Sequence, residues 1–130
     1  MSCSNPPTIL IAEDETHIVF ILEAKLSAAG FDVVVARNGR DALAAAHEHR
    51  PALAITDLNM PLMDGLEFAI ALRGDPATAG IPVIMLTGRG HTVSDDDRAR
   101  TNIRVLESKP FSARHLLAVV QDMVATPQPA

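Results

Sequence analysis

Ala54-Ile55-Thr56-Asp57-Leu58-Asn59-Met60-Pro61 is the stretch on which the fold turns. An apolar run enters it from Pro51-Ala52-Leu53 and stops at one carboxylate, Asp57, with Asn59, Pro61 and Gly65 beyond. A short continuous apolar run bounded by breakers marks a strand buried on both faces, as in a parallel sheet. Such a strand, ending on an acid, brings one reactive group to the rim of the sheet. What the acid does there depends on which other groups reach the same rim.

Four further runs have the same character. Thr8 to Ala12 is β-branched and apolar, and ends in Glu13-Asp14-Glu15. Phe31 to Ala36 is a second strand, Ile81 to Thr87 a fourth with Pro82 near its start, and Arg104 to Ser108 a fifth, followed by Lys109-Pro110-Phe111. Helical patterns lie between them. Ile18, Leu22, Leu26 and Ala29 share one face, with Gly30 as the stop. Asn38-Gly39 is turn chemistry, and Arg40 to His49 is Ala-rich with Ala42, Leu43 and Ala46 on one side. Leu66 to Arg73 forms a third helix. Ser94 caps a short polar helix reaching Thr101, with Asp95-Asp96-Asp97 in its first turn. Ser112 caps a last helix with Leu116, Leu117, Val120 and Val124 as its buried stripe. Strands alternating with helices predict an α/β fold, a parallel sheet covered on both faces. Its functional groups belong at the carboxyl ends of the strands.

The composition sets bounds. The chain has 130 residues, 48% of them hydrophobic and 21% charged, with no Trp or Tyr. That suits one domain with a core of Ala, Leu, Ile and Val. The expected organisation is a tail over 1–7, a domain over 8–125 and a tail over 126–130. A net charge of −5 argues against nonspecific nucleic-acid binding. A lone Cys3 excludes a disulfide framework and a thiolate metal site. No apolar run is long enough to span a membrane, and Met1 to Pro7 lack the pattern of a signal peptide, so a cytoplasmic protein is expected.

The strand ends carry Glu13 and Asp14, then Asp57, Thr87 and Lys109. Carboxylates gathered at one rim repel, by on the order of 1–4 kcal/mol for two unit charges about 4 Å apart. A hard divalent cation removes that cost, and oxygen-only ligands favour Mg²⁺ or Mn²⁺ over Zn²⁺. Mg²⁺ keeps several waters and is completed by phosphate oxygens, so the set points to phosphoryl transfer. Asp57 is the candidate nucleophile, Lys109 the point charge for a phosphoryl oxygen, and Thr87 a hydrogen-bond donor to another.

Glu13-Asp14, Asp57 with Met60-Pro61 and Asp64-Gly65, Thr87-Gly88, and Lys109-Pro110-Phe111 occur in order, each at the end of an expected strand. In these motifs the chain resembles the response-regulator receiver domains of two-component signalling, over about residues 8 to 125. The resemblance implies a flavodoxin-like (βα)5 sandwich with strand order 2-1-3-4-5. It also implies Mg²⁺-dependent acceptance of a phosphoryl group on Asp57 from a histidine kinase or a histidine phosphotransfer protein. Carried over by position, Asp14 is a direct metal ligand, Glu13 acts through water, Asp57 is acceptor and ligand, and Asn59 offers its backbone carbonyl. Thr87 becomes the switch hydroxyl, Lys109 the phosphate contact, and Pro110 follows a cis peptide that aims Lys109 inward.

The family usually has Tyr or Phe three residues before the lysine, where this chain has Leu106. The main reading is a single-domain response regulator that signals through an unknown protein partner, without direct DNA binding, as a monomer or a phosphorylation-dependent dimer. It is not an enzyme beyond its own phosphorylation and dephosphorylation. The alternative is a receiver-like binding module with atypical switching, because of Leu106. A phosphatase with an aspartyl nucleophile is disfavoured, since a second acid is expected two residues on and Asn59 stands there. Phe20 either packs under a neighbour or belongs to a docking patch. Asn59 and Arg89 either flank the phosphoryl site or are solvated loop residues. His17, His47, His49, His91 and His115 read as surface residues, with no zinc site among them.

Overall fold

A computed structural model describes residues 7–88, 94–109 and 111–125. The chain alternates as β1 (Thr8–Ala12), α1 (Thr16–Ala28), β2 (Asp32–Ala36), α2 (Gly39–His49), β3 (Leu53–Asp57), α3 (Gly65–Arg73), β4 (Val83–Thr87), α4 (Asp95–Ala99), β5 (Ile103–Ser108) and α5 (Ala113–Ala125). All strand pairs are parallel, and the sheet runs β2-β1-β3-β4-β5, the expected flavodoxin-like order. From β1 the chain first builds towards one edge and then, at β3, towards the other. The loops after β1 and β3 therefore leave in opposite directions and open a crevice at the sheet's carboxyl edge.

Side chains alternate across each buried strand, which splits the core in two. Leu10, Ala12, Ala54, Val83 and Met85 lie on one face, under Ala42 and Ala46 of α2 and Phe68 and Leu72 of α3. Ile9, Ile11, Leu53, Ile55, Ile84 and Leu86 lie on the other, under Ile18, Leu22 and Leu26 of α1 and Leu116 and Val120 of α5. This is the three-layer arrangement expected. α4 buries none of its residues, in keeping with its polar sequence.

Element boundaries follow local chemistry. α1 closes with a left-handed Gly30 (φ 99°), and the amides of Gly30 and Phe31 donate to the carbonyls of Ser27 and Leu26. Two expectations change as a result: Ala29 is an exposed cap residue and not part of the buried stripe, and β2 begins at Asp32 because the Phe31 amide serves the cap. β4 begins at Val83, after the Pro82 nitrogen that has no hydrogen to give, and its register against β5 shifts between Val83 and Ile84. α4 is shorter than the expected 94–101. No helix of the described residues is long and apolar enough to cross a membrane.

The loop between Asp57 and α3 is held by close backbone approach. The Gly65 amide donates to Leu58 O at 2.8 Å, and a Cβ at Gly65 would lie 2.2 Å from Asp57 O. Asp64 and Glu67 then cap α3 reciprocally. Gly65→Ala is expected to cost about 1–3 kcal/mol in urea unfolding, the range for overpacking. Gly80→Ala, whose Cβ would meet nothing within 4 Å, is the control and is expected within about 0.5 kcal/mol of wild type. Equal costs at both positions would remove close approach as the reason for Gly65.

Candidate functional site

Asp57 is the last residue of β3, paired in register with Leu86 of β4, and is 4% exposed. The Leu58 amide donates to Leu86 O at 2.9 Å, so the ladder continues one step past the acid and fixes its backbone. Glu13 follows β1 directly, and its amide donates to Ala36 O at 3.0 Å. Glu13, Asp14 and Asp57 each offer a carboxylate oxygen, all within 4.8 Å of one another. Asp14 is exposed, while Glu13 has no exposed surface. None of the described histidines joins the group.

Lys109 arrives from the end of β5, where its amide donates to Thr87 O at 2.8 Å. Its ammonium lies 3.2 Å from Asp57 Oδ2, 3.4 Å from Glu13 Oε1 and 3.1 Å from Glu15 Oε1. Burial works against its charge, but Glu13, then Glu15 and Asp57, outweigh it and hold the pKa above the ordinary lysine value. Thr87 is 4% exposed and sits opposite Ser108. Its hydroxyl donates to Glu107 O at 3.5 Å, the outer limit of a hydrogen bond.

Glu13 is the most strained group electrostatically. Desolvation is the main cause of a pKa raised to about 7; the Glu15 amide, donating to Oε2 at 3.2 Å, opposes the shift, and Asp57 adds to it. The other oxygen, Oε1, is buried and accepts no hydrogen bond, its approach to Lys109 being an ion pair without hydrogen-bond geometry. A buried, partly unsatisfied carboxylate beside two others is a donor set that fits a hard divalent cation.

The structure thus brings together Glu13, Asp14, Asp57 and Lys109, with Thr87 at the neighbouring strand end. Asn59 lies in the same loop, exposed. Leu106 is half-buried and packs against the α2 and α3 side of the core. Phe20 is 71% exposed, so it does not pack under a neighbour. The cis peptide expected at Pro110, and Arg89 and His91, lie outside the described residues. Two contacts were not anticipated. Glu15 shares Lys109, a role that the acid run Glu13-Asp14-Glu15 hinted at without separating its members. His115, a surface residue as expected, has its ring 3.2 Å from the Glu107 carboxylate.

A family model of the response regulator receiver domain matches residues 9–121, and the chain belongs to that family. It is 34% identical over 126 residues to the response regulator Rre1 of Synechocystis sp., covering 96% of this chain and 54% of that protein. The chain spans about half the length of the curated relatives it matches. Among solved structures it superposes on the chemotaxis response regulator CheY4 of Vibrio cholerae with a TM-score of 0.82 at 30% identity, covering 92% of this chain and 99% of that one. The receiver domain of the sensor histidine kinase PA1611 of Pseudomonas aeruginosa, whose structure has a magnesium ion coordinated in the active-site cleft, shares the fold with a TM-score of 0.82 at 22% identity, over 93% of this chain and 99% of that one.

Between its unfolded value of 4.5 and about 7, Glu13 binds more proton in the fold than in the unfolded chain, so the metal-free fold loses stability as pH rises through that window. Glu13→Gln removes the loss. The thermal midpoint of the variant in EDTA is therefore expected to rise relative to wild type between pH 5 and pH 7.5, by several degrees. Mg²⁺ at pH 7.5 is expected to stabilise wild type more than the variant. A midpoint difference independent of pH would contradict the assignment.

Proposed function

We propose that this chain accepts a phosphoryl group on Asp57 from a phosphohistidine of a histidine kinase or histidine phosphotransfer protein, and signals its state to another protein. The observation that carries this reading is the Lys109 ammonium 3.2 Å from Asp57 Oδ2, at the edge of the Glu13, Asp14 and Asp57 group. An Asp57 oxygen attacks phosphorus, the phosphorus–nitrogen bond breaks, and the electron pair leaves with the imidazole of the donor. Lys109 exchanges its contact with Oδ2 for a phosphoryl oxygen, and Thr87 exchanges its long bond to Glu107 O for another. Asp14 and Asp57, with the Asn59 carbonyl, would hold Mg²⁺ directly, and Glu13 would hold it through water. Bound there, the ion offsets charge on the transferring group.

The donor's docking place is supported by a cavity beside Lys109 and by the exposed Phe20 and Ile21 of α1. Ile18, Ile21, Phe111 and Ala113, with Glu15, His17 and Lys109, line a cavity of about 600 Å³. Phe20 stands on the same helix. Because Lys109 belongs both to the cavity and to the carboxylate group, a partner seated there has its phosphohistidine close to Asp57. The net charge of −5 supports a protein over DNA as what this domain itself contacts, and the family supports a phosphoacceptor over a phosphatase with turnover on general substrates.

Asp57→Ala is expected to abolish labelling by radiolabelled acetyl phosphate and by a cognate donor in Mg²⁺. Labelling equal to wild type would sink the acceptor assignment. Phe20→Ala is expected to slow transfer from the protein donor while leaving acetyl phosphate labelling unchanged. The second reading, a module that binds without switching, is favoured by Leu106. Beryllofluoride with Mg²⁺ separates the two. Amide shifts spreading through residues 94–108 mean switching, and shifts confined to the Asp57 rim mean a non-switching module.

A further inference from the structure

Glu15 occupies the N-cap position of α1 but does not cap it: its side chain takes no hydrogen bond from the helix amides. The carboxylate turns instead to Lys109 Nζ at 3.1 Å, while its own backbone amide is held by Glu13 Oε2 at 3.2 Å. The three oxygens that can share a cation come from Glu13, Asp14 and Asp57, and Glu15 is not among them. When a cation occupies that group, the charges of Glu13 and Asp57 are offset and their hold on Lys109 weakens. Glu15 keeps its charge, and its side chain is 47% exposed on the cavity side of the lysine.

We infer that Glu15 is a positioning residue whose hold on Lys109 competes with that of Asp57 and so tunes both cation binding and phosphoryl acceptance. This rests on the phosphoacceptor reading above. Lys109 is held at once by Glu15 on the cavity side and by Glu13 and Asp57 at the rim. Facing the rim, it competes with a cation for Glu13 and Asp57, yet it is placed to meet a phosphoryl oxygen. Removing the Glu15 charge therefore has two opposite consequences. Cation binding weakens, because the ammonium settles among the rim carboxylates. Phosphoryl acceptance at saturating cation quickens, because the ammonium no longer has to leave Glu15. The surface position keeps each effect modest.

The test uses Glu15→Gln, with Glu15→Ser as a second variant that also frees Lys109 but supplies a hydroxyl able to cap α1. Mg²⁺ alone is titrated by calorimetry, labelling by acetyl phosphate is timed at saturating Mg²⁺, and the Lys109 side-chain carbon and proton shifts are read by NMR in EDTA. Both variants are expected to raise the Mg²⁺ Kd about two- to fivefold, to speed labelling by a similar factor, and to move the Lys109 side-chain resonances. Glu23→Gln removes an exposed charge from the same helix and is expected to change none of the three. Unchanged Lys109 resonances, slower labelling in either variant, or an equal effect from Glu23→Gln would overturn the inference. Wild type that takes no label, beside an equally blank Asp57→Ala, would instead overturn the phosphoacceptor reading. The NMR readout in EDTA judges the Lys109–Glu15 tether by itself.

Discussion

A carboxylate without exposed surface, Glu13, sits in a group of acids that share one ammonium, and the rest of the site is arranged around that fact. Glu13 loses its hydration on folding and recovers a single hydrogen bond, from the Glu15 amide. Burying such a group costs several kcal/mol unless charge or hydrogen bonds compensate. Lys109 compensates in part, but it is one cation among Glu13, Glu15 and Asp57. The imbalance is what makes the rim receptive. A site with matched charges would have little to gain from a divalent ion or from the departure of its lysine towards a new anion.

The imbalance is tolerated because the backbone leaves the side chains little choice. Asp57 is fixed by the β3–β4 ladder and Lys109 by the hydrogen bond its amide donates to Thr87 O. Glu13 is fixed by the bond to Ala36 O across β1 and β2. Parallel strands begin and end together, so four carboxyl ends deliver their last or following residues to one edge without any long loop. The β3–α3 connection is pinned against Asp57 by Gly65, where any side chain would collide with the Asp57 carbonyl. Leu62 in that loop holds a φ of 71° while 70% exposed, a conformation a leucine adopts only when neighbours dictate the path.

The strands, and the acids and the lysine that their ends carry, were legible because each rests on a short-range signal, whereas the strand order came with the family resemblance. Buried parallel strands are continuous apolar runs, and their last polar residue marks the rim. The first helix's stripe was legible to Leu26 and misread at Ala29, because spacing alone does not reveal where Gly30 turns the chain. The capping box of Asp64 and Glu67 was also written in the sequence, at its usual spacing, but was hidden within a motif read for another purpose. Glu15 and His115 were not legible in the same way. Their partners are Lys109, 94 positions away, and Glu107 on a different element, and only the assembled fold makes such pairs. Phe20 posed a choice that periodicity cannot settle, since an apolar residue outside the buried stripe looks alike whether covered or bare.

Leu106 bears on how phosphorylation would leave the site. Its side chain is half-buried among core residues of the α2 and α3 side and has no polar atom to follow a moving hydroxyl. Thr87 instead touches β5 through the main chain, at the Glu107 carbonyl, over a distance that leaves the contact weak. The Glu107 carboxylate meets His115 in the first turns of α5. The residue whose carbonyl accepts from Thr87 is thus also the one whose carboxylate meets α5. The contact between the Thr87 strand end and the α5 face therefore runs through the β5 main chain and the Glu107 side chain, and not through the side chain at position 106.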